Sequence, residues 1–172
     1  MTVKSIVPFG DPILRKKAKP VAEVGERVIK LLDDLTDTLY AKEGRAGLAA
    51  PQIGILRRVV VMDCGTGLIE LINPEMLEMS GEQAGPEGCL SFPNFIGNVR
   101  RAMHVKISTL TRSGEKRELE AEGYLARCIQ HEMDHLDGVL FIDRVQEDTL
   151  YHEHTKQTVR VADVIRLSNQ GV

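Results

Sequence analysis

Gln130-His131-Glu132-Met133-Asp134-His135 carries the spacing H-E-x-x-H within a stretch that reads as helix. Residues four apart on a helix lie about 40° from one another around the axis and about 6 Å along it, so both imidazoles can reach a single metal ion. Glu132 sits about 100° round from His131, where its carboxylate can flank the ion without ligating it. That is the place for a general base acting on an activated water. A catalytic site of this type takes three protein ligands and leaves one position open. The familiar downstream completion, H-E-x-x-H-x-x-G-x-x-H, fails: Gly138 matches, but Phe141 stands where the third ligand belongs. Glu147 and Glu153, the other downstream candidates, lie in a polar stretch without a helical frame. Cys128 shares the helix face, but it is about 7 Å along the axis from the midpoint of the two histidines, too far for so short a side chain. It reads as a packed residue beneath the site.

Upstream, Glu87-Gly88-Cys89-Leu90-Ser91 offers Cys89 as third ligand, with Gly88 giving a ligand loop unusual backbone angles and close approach. Alone, Cys89 fits a buried structural cysteine better than a ligand. A third segment, Gly47-Leu48-Ala49-Ala50-Pro51-Gln52, changes the balance. Its small residues let a backbone pack tightly against a helix, and it ends in an amide that donates hydrogen bonds.

These three segments, in this order and at these separations, resemble the peptide deformylase family. The likeness extends over nearly all of residues 3 to 145, including Gly10-Asp-Pro-Ile-Leu-Arg15, an Ile72-Asn-Pro74 turn and the stretch from Val105 to Gly123. It implies removal of the formyl group from the formyl-methionine end of nascent polypeptides, with release of formate. Cys89, His131 and His135 would hold one divalent metal, Fe²⁺ in the cell, with Zn²⁺, Ni²⁺ or Co²⁺ in purified protein. Glu132 would move the proton, while the Gln52 amide and the Leu90 backbone N–H would steady the oxyanion. The methionine side chain would lie near Ala46, Tyr124, Arg127, Cys128 and His131, with Gly47 pairing to the peptide backbone. Glu87 and Arg101 match a pair that braces the cysteine segment.

Composition agrees. The chain of 172 residues is long enough for one domain with a real core. Hydrophobic content of 42% and a net charge of −3 suggest neither disorder nor a polyanion-binding surface, so no nucleic-acid substrate is expected. Three widely spaced cysteines, 64, 89 and 128, make no disulfide framework and suit a reducing compartment. Met1-Thr-Val-Lys lacks the apolar core of a signal peptide, and no stretch approaches 18 apolar residues. The expectation is a cytoplasmic monomer, free of membranes, meeting its substrate at the ribosome.

Val24, Val28, Leu31, Leu32, Leu35 and Leu39 predict an amphipathic helix from about Ala22 to Lys42. Arg58 to Asp63 reads as a buried strand, followed by a turn at Gly65-Thr-Gly67 and a strand from Leu68 to Ile72. His104 to Thr111 and Lys116 to Ala121 predict a hairpin. The histidine helix should span Tyr124 to Asp137, with Gly138 as its left-handed terminator. Segregated strands and helices predict an α+β fold, with mostly antiparallel sheets around a central metal-binding helix and one N-terminal amphipathic helix. One catalytic domain is expected over 1–172, with the tail from 146 to 172 left unassigned. In that tail Val159-Arg-Val161 fits a short strand or a terminal helix, and His152 and His154 read as exposed rather than ligating.

Besides the tail beyond about Gln146, three features depart from the family pattern. Gly44-Arg-Ala-Gly47 is one residue longer than the usual approach to the first segment, and Gly85-Pro86 stiffens the approach to Cys89. Arg127 replaces an aliphatic residue, and its head is expected to snorkel to the rim or to stand solvated on the helix face. Two other functions fit less well. A zinc endopeptidase would need a downstream ligand and a long groove, and a non-catalytic binding module would need neither Glu132 nor Gln52.

Overall fold

Leu31, Leu32, Leu35 and Leu39 fall on one side of a helical wheel, and all four are buried on α1, Glu26–Tyr40. The helix starts four residues later than its apolar pattern because Gly25, in extended conformation, serves as N-cap. Glu26 in the first turn complements the positive end of the helix dipole. The structure, a computed structural model, describes residues 2–170. After α1 come β1 (Gly47–Ala49), β2 (Val59–Met62), β3 (Ile69–Ser80), β4 (Gln83–Cys89) and β5 (Phe92–Arg101). Then follow β6 (His104–Leu110), β7 (Lys116–Glu122), α2 (Gly123–Leu136), β8 (Val145–His152), β9 (Thr158–Arg160) and α3 (Val161–Gln170).

The strands form two antiparallel sheets, one ordered β1-β2-β3-β6-β7 and the other β4-β5-β8-β9. Strand β2 explains how the first is used. Val60 and Met62 join the cluster that contains Ala126, Ile129 and Leu136 of α2, whereas Val59 and Val61 join the cluster around the leucines of α1. Successive side chains point to opposite faces. A strand covered on both sides therefore reads as the continuous run Val-Val-Val-Met. Helix α2 also meets the link from β5 to β6: Gln130 accepts from the Ala102 backbone N–H at 3.0 Å and donates to the Ala102 carbonyl at 3.0 Å. A third cluster, with Val99, Phe141, Leu150, Val161 and Val164, packs the tail against the second sheet.

Several expectations need correction. The segment around Cys89 is no loop: Cys89 ends β4 and pairs with Phe92 across a tight β4–β5 turn, with a register shift after Glu87. Gly88 does not adopt a left-handed backbone. A Cβ there would stand 3.2 Å from the Phe95 carbonyl oxygen, so close approach is what the glycine provides. Ile72-Asn-Pro74 is an irregularity inside β3 rather than a turn ending it. Asn73 takes a φ of 49°, and its amide exchanges two 2.8 Å hydrogen bonds with the Val21 backbone. The tail contains both a strand, β9, and a helix, α3. His154 is exposed, while His152 is half-buried, its ring edge-on to Phe95 at 5.2 Å.

Beyond α2, Gly138 has φ 73°, and a Cβ built on it would fall 2.5 Å from the Arg15 carbonyl oxygen. The chain turns there because only glycine fits both the angle and the space. Gly138→Ala is therefore expected to cost about 1–3 kcal/mol or more. That should lower the melting temperature by at least several degrees in calorimetry; an unchanged melting temperature would contradict this.

Candidate metal centre

Helix α2 places His131 and His135 one turn apart with ring centroids 5.1 Å from one another. Cys89 arrives from the end of β4, its Sγ 3.4 Å from His135 Nε2. One ligand atom from each of Cys89, His131 and His135 lies within 4.8 Å of the others. Donor atoms tetrahedrally arranged about a zinc-sized ion stand about 3.5 Å apart, given bond lengths of about 2.0–2.3 Å. The three donors fit such an ion. Burial would push the Cys89 thiol up, but the charge of His135 and hydrogen bonds with His131 and His135 hold it well below its ordinary value. A thiolate is the ligating form.

The orientation of His131 is set from behind. Its Nδ1 lies 2.8 Å from Glu87 Oε1. Burial works against the Glu87 carboxylate, but hydrogen bonds from Arg101 and His131 outweigh it and keep the group ionised, its pKa lowered. An ionised carboxylate only accepts, so Nδ1 must carry a proton, and Nε2 is left as the nitrogen that can face a metal once its own proton is displaced. Arg101 reaches Glu87 through Nε and Nη2, each at 2.8 Å, and Asp134 through Nη1 at 2.6 Å.

Glu132 is buried with Oε2 lacking a hydrogen-bond partner among the described residues. Burial raises its pKa, opposed by the charges of His131 and His135. It lies flush against Gly47, where a Cβ would come within 2.6 Å of Glu132 Oε1. That contact accounts for the small residue at the head of Gly47–Gln52. Gln52, buried at the other end, accepts from the Ala49 N–H at 3.0 Å. Its amide Nε2 is thereby aimed at Cys89 Sγ (3.5 Å) and Ser91 Oγ (3.3 Å).

A cleft of about 830 Å³ opens over this centre. Gly47, Gln52, Cys89, Leu90, His131 and Glu132 line its inner part, and Ala46, Tyr124, Arg127 and Cys128 line one wall. Arg101 lies behind the cysteine strand, outside the lining. Sequence reasoning missed the stretch from Phe92 to Ile96 and Glu153 of the tail, which complete the rim. It also missed Ser91 and Asp134. The aromatic residues of Phe92-Pro93-Asn94-Phe95 were the available signal.

Arg127 requires a further correction, because its head neither snorkels nor stands in water. It is only 6% exposed, with Nη1 2.6 Å from Glu87 Oε2 and 3.0 Å from the Val99 carbonyl. Cys128 is buried, and its thiol is pushed up by a hydrogen bond with Cys64 and by burial. It therefore stays protonated, and it is not part of the cluster of Cys89, His131 and His135. Tyr124, beside it, is pushed up to about 12 by burial and by Cys128.

Cys89→Ala should lose most metal affinity, whereas Cys128→Ala should load fully. Metal analysis of both proteins after dialysis reads this directly. An empty Cys128→Ala beside a loaded Cys89→Ala would reverse the assignment.

Residues 3–150 match the family model for polypeptide deformylase. The chain is 53% identical over 145 residues to a peptide deformylase of Caldanaerobacter subterraneus subsp. tengcongensis, covering 84% of this chain and 91% of that one. It is 53% identical over 144 residues to that of Carboxydothermus hydrogenoformans, covering 84% and 94%. The crystal structure of the peptide deformylase from Thermotoga maritima superposes with a TM-score of 0.82 at 46% identity, over 85% of this chain and 99% of that one. An actinonin complex of the Synechococcus elongatus enzyme superposes over 97% of this chain and 88% of that one, with a TM-score of 0.81 at 34% identity. With its two antiparallel sheets and its clustered thiol and imidazole donors, the chain belongs to the peptide deformylases, metal-dependent hydrolases that remove the N-formyl group from nascent polypeptides.

Proposed function

We propose that Cys89, His131 and His135 hold one divalent ion, Fe²⁺ in the cell, and that Glu132 is the proton-transfer group of the deformylation. The observation that carries this is the placement of the buried Glu132, whose Oε2 has no hydrogen-bond partner among the described residues, beside three clustered ligand atoms. The ion, when bound, supplies Lewis-acid activation of water and of the formyl oxygen. Ligand chemistry alone would favour zinc over iron, so the preference for iron rests on the likeness to the family.

Glu132 takes a proton from the attacking water as its oxygen bonds to the formyl carbon. Its raised pKa brings it nearer to the pH at which it works as both base and acid. The Gln52 amide, held by Ala49, and the Leu90 N–H, in the turn after β4, donate to the oxyanion that develops on the formyl oxygen. The carbon–nitrogen bond then breaks, Glu132 returns the proton to the amine, and formate and a free N-terminal methionine leave. Methionine lies against Ala46, Tyr124, Cys128, His131 and the stem of Arg127. Gly47, in the edge strand β1, pairs with the peptide backbone. Glu87, Gly88 and Arg101 hold the cysteine strand.

The whole chain acts as one catalytic domain, its tail supplying Glu153 to the rim. It works as a cytoplasmic monomer on chains emerging from the ribosome, without nucleic acid as substrate. No described helix is long and apolar enough to cross a membrane.

Protein prepared without oxygen and loaded with Fe²⁺ should release formate from formyl-Met peptides faster than its zinc form. It should leave unformylated peptides intact. Glu132→Gln should keep its metal and lose about 10²–10⁴-fold in kcat, the usual worth of acid–base help. Cleavage of unformylated peptides instead would make this an endopeptidase. Near-normal turnover by a fully loaded Glu132→Gln would assign the proton transfer elsewhere.

A further inference from the structure

We infer that Arg127 is a positioning residue for the metal centre, acting through Glu87 on His131. The inference rests on the reading of Cys89, His131 and His135 as metal ligands.

Arg127 stands one helical turn before His131 on α2 and lies in the cleft wall, where a long side chain could have turned outward. It turns inward instead. Nη1 donates to Glu87 Oε2 at 2.6 Å and to the Val99 carbonyl of β5 at 3.0 Å. The guanidinium lies against Gly85 of β4, where a Cβ would come within 3.4 Å of Nη2. A single side chain thus ties α2 to both strands of the cysteine hairpin.

The Glu87 carboxylate shows what this achieves. Oε2 accepts from Arg101 Nε at 2.8 Å and from Arg127 Nη1 at 2.6 Å. Oε1 accepts from Arg101 Nη2 at 2.8 Å and faces His131 Nδ1 at 2.8 Å. A carboxylate offers about four acceptor positions, and here all are taken. Arg101 grips the group through a bidentate pair, and its Nη1 bonds in turn to Asp134 Oδ2, which Arg144 shares at 2.6 Å. Arg127 supplies a second cation, itself anchored on the Val99 carbonyl. With both in place Glu87 cannot tilt away from His131, and His131 Nε2 stays aimed at the ligand cluster. Groups that orient a ligating histidine from behind typically change metal affinity about 10–100-fold when removed.

The test uses the full chain loaded with Co²⁺, whose affinity is read by competition with a chromophoric chelator and whose geometry is read from its visible absorption. Arg127→Met keeps length and removes the donors. It should bind Co²⁺ about 10–100-fold more weakly, with shifted or broadened bands. Arg127→Lys keeps the charge but not the planar fork, and should lose several-fold. If Arg127 acts through Glu87, the double variant Glu87→Gln/Arg127→Met should bind no worse than Glu87→Gln alone. Parental affinity and spectrum in Arg127→Met, with only a lowered melting temperature, would overturn the inference, as would losses that simply multiply in the double variant. Should Arg127→Met fail to fold, parental affinity in Arg127→Lys overturns it equally. His131→Ala separates this from the ligand assignment. If it binds Co²⁺ normally, the metal centre itself is misassigned; if it is empty while Arg127→Met is unchanged, only the role of Arg127 fails.

Discussion

The carboxylate of Glu87 joins the parts of this protein that must meet for the site to exist. It stands on β4 two residues before Cys89, it is gripped by Arg101 from β5, and it meets Arg127 and His131 from α2. Each buried charge costs several kcal/mol in lost hydration, recovered only when geometry and hydrogen bonding are nearly complete. Glu87 meets that condition with three basic side chains around it. The arrangement tolerates little displacement, since moving β4 against α2 would strand an ionised group in the interior. The relative placement of β4 and α2 thus depends on a carboxylate that itself hydrogen-bonds neither Cys89 nor His135.

A second constraint acts from the other sheet. Gly47 lies so close to Glu132 that no Cβ can be inserted, and Gln52 is held by the Ala49 backbone three residues back. Strand β1 and the helical turn after it therefore set the Glu132 carboxylate and an amide donor on one side of α2. Cys89 and Glu87 approach from the other sheet. Helix α2 carries little chemistry by itself. Between the two sheets, its HExxH face becomes a site whose groups are placed before substrate arrives, the condition under which electrostatic stabilisation is most effective.

Much of this was legible in the sequence where periodicity and burial coincide. The i, i+4 histidines, the apolar run of β2 and the β6–β7 hairpin each follow from a spacing rule that tertiary contacts reinforce. The β4–β5 hairpin was not legible. Its residues are polar, glycine-rich and interrupted by Pro86, which an edge strand tolerates because its outer backbone groups need no partner. Cys89 was singled out through its neighbours rather than through any helical spacing, and Gly88 was credited with a backbone angle it does not adopt. Arg127 was read as a surface group because its partner lies forty positions upstream. Nothing local distinguishes a snorkelling arginine from one aimed at a buried carboxylate. The stretch Val159-Arg-Val161 was ambiguous between strand and helix because β9 ends at Arg160 and α3 begins at Val161.

The central claim is that one cysteine and two histidines, and no others, ligate the ion. X-ray absorption at the zinc edge of the zinc-loaded protein counts these scatterers directly. The account predicts one sulfur at about 2.3 Å and two imidazole nitrogens at about 2.0–2.1 Å, with one further light atom completing the shell. A shell without sulfur would remove Cys89 from the site, and a shell with two sulfurs would bring Cys128 into it; either result contradicts the account.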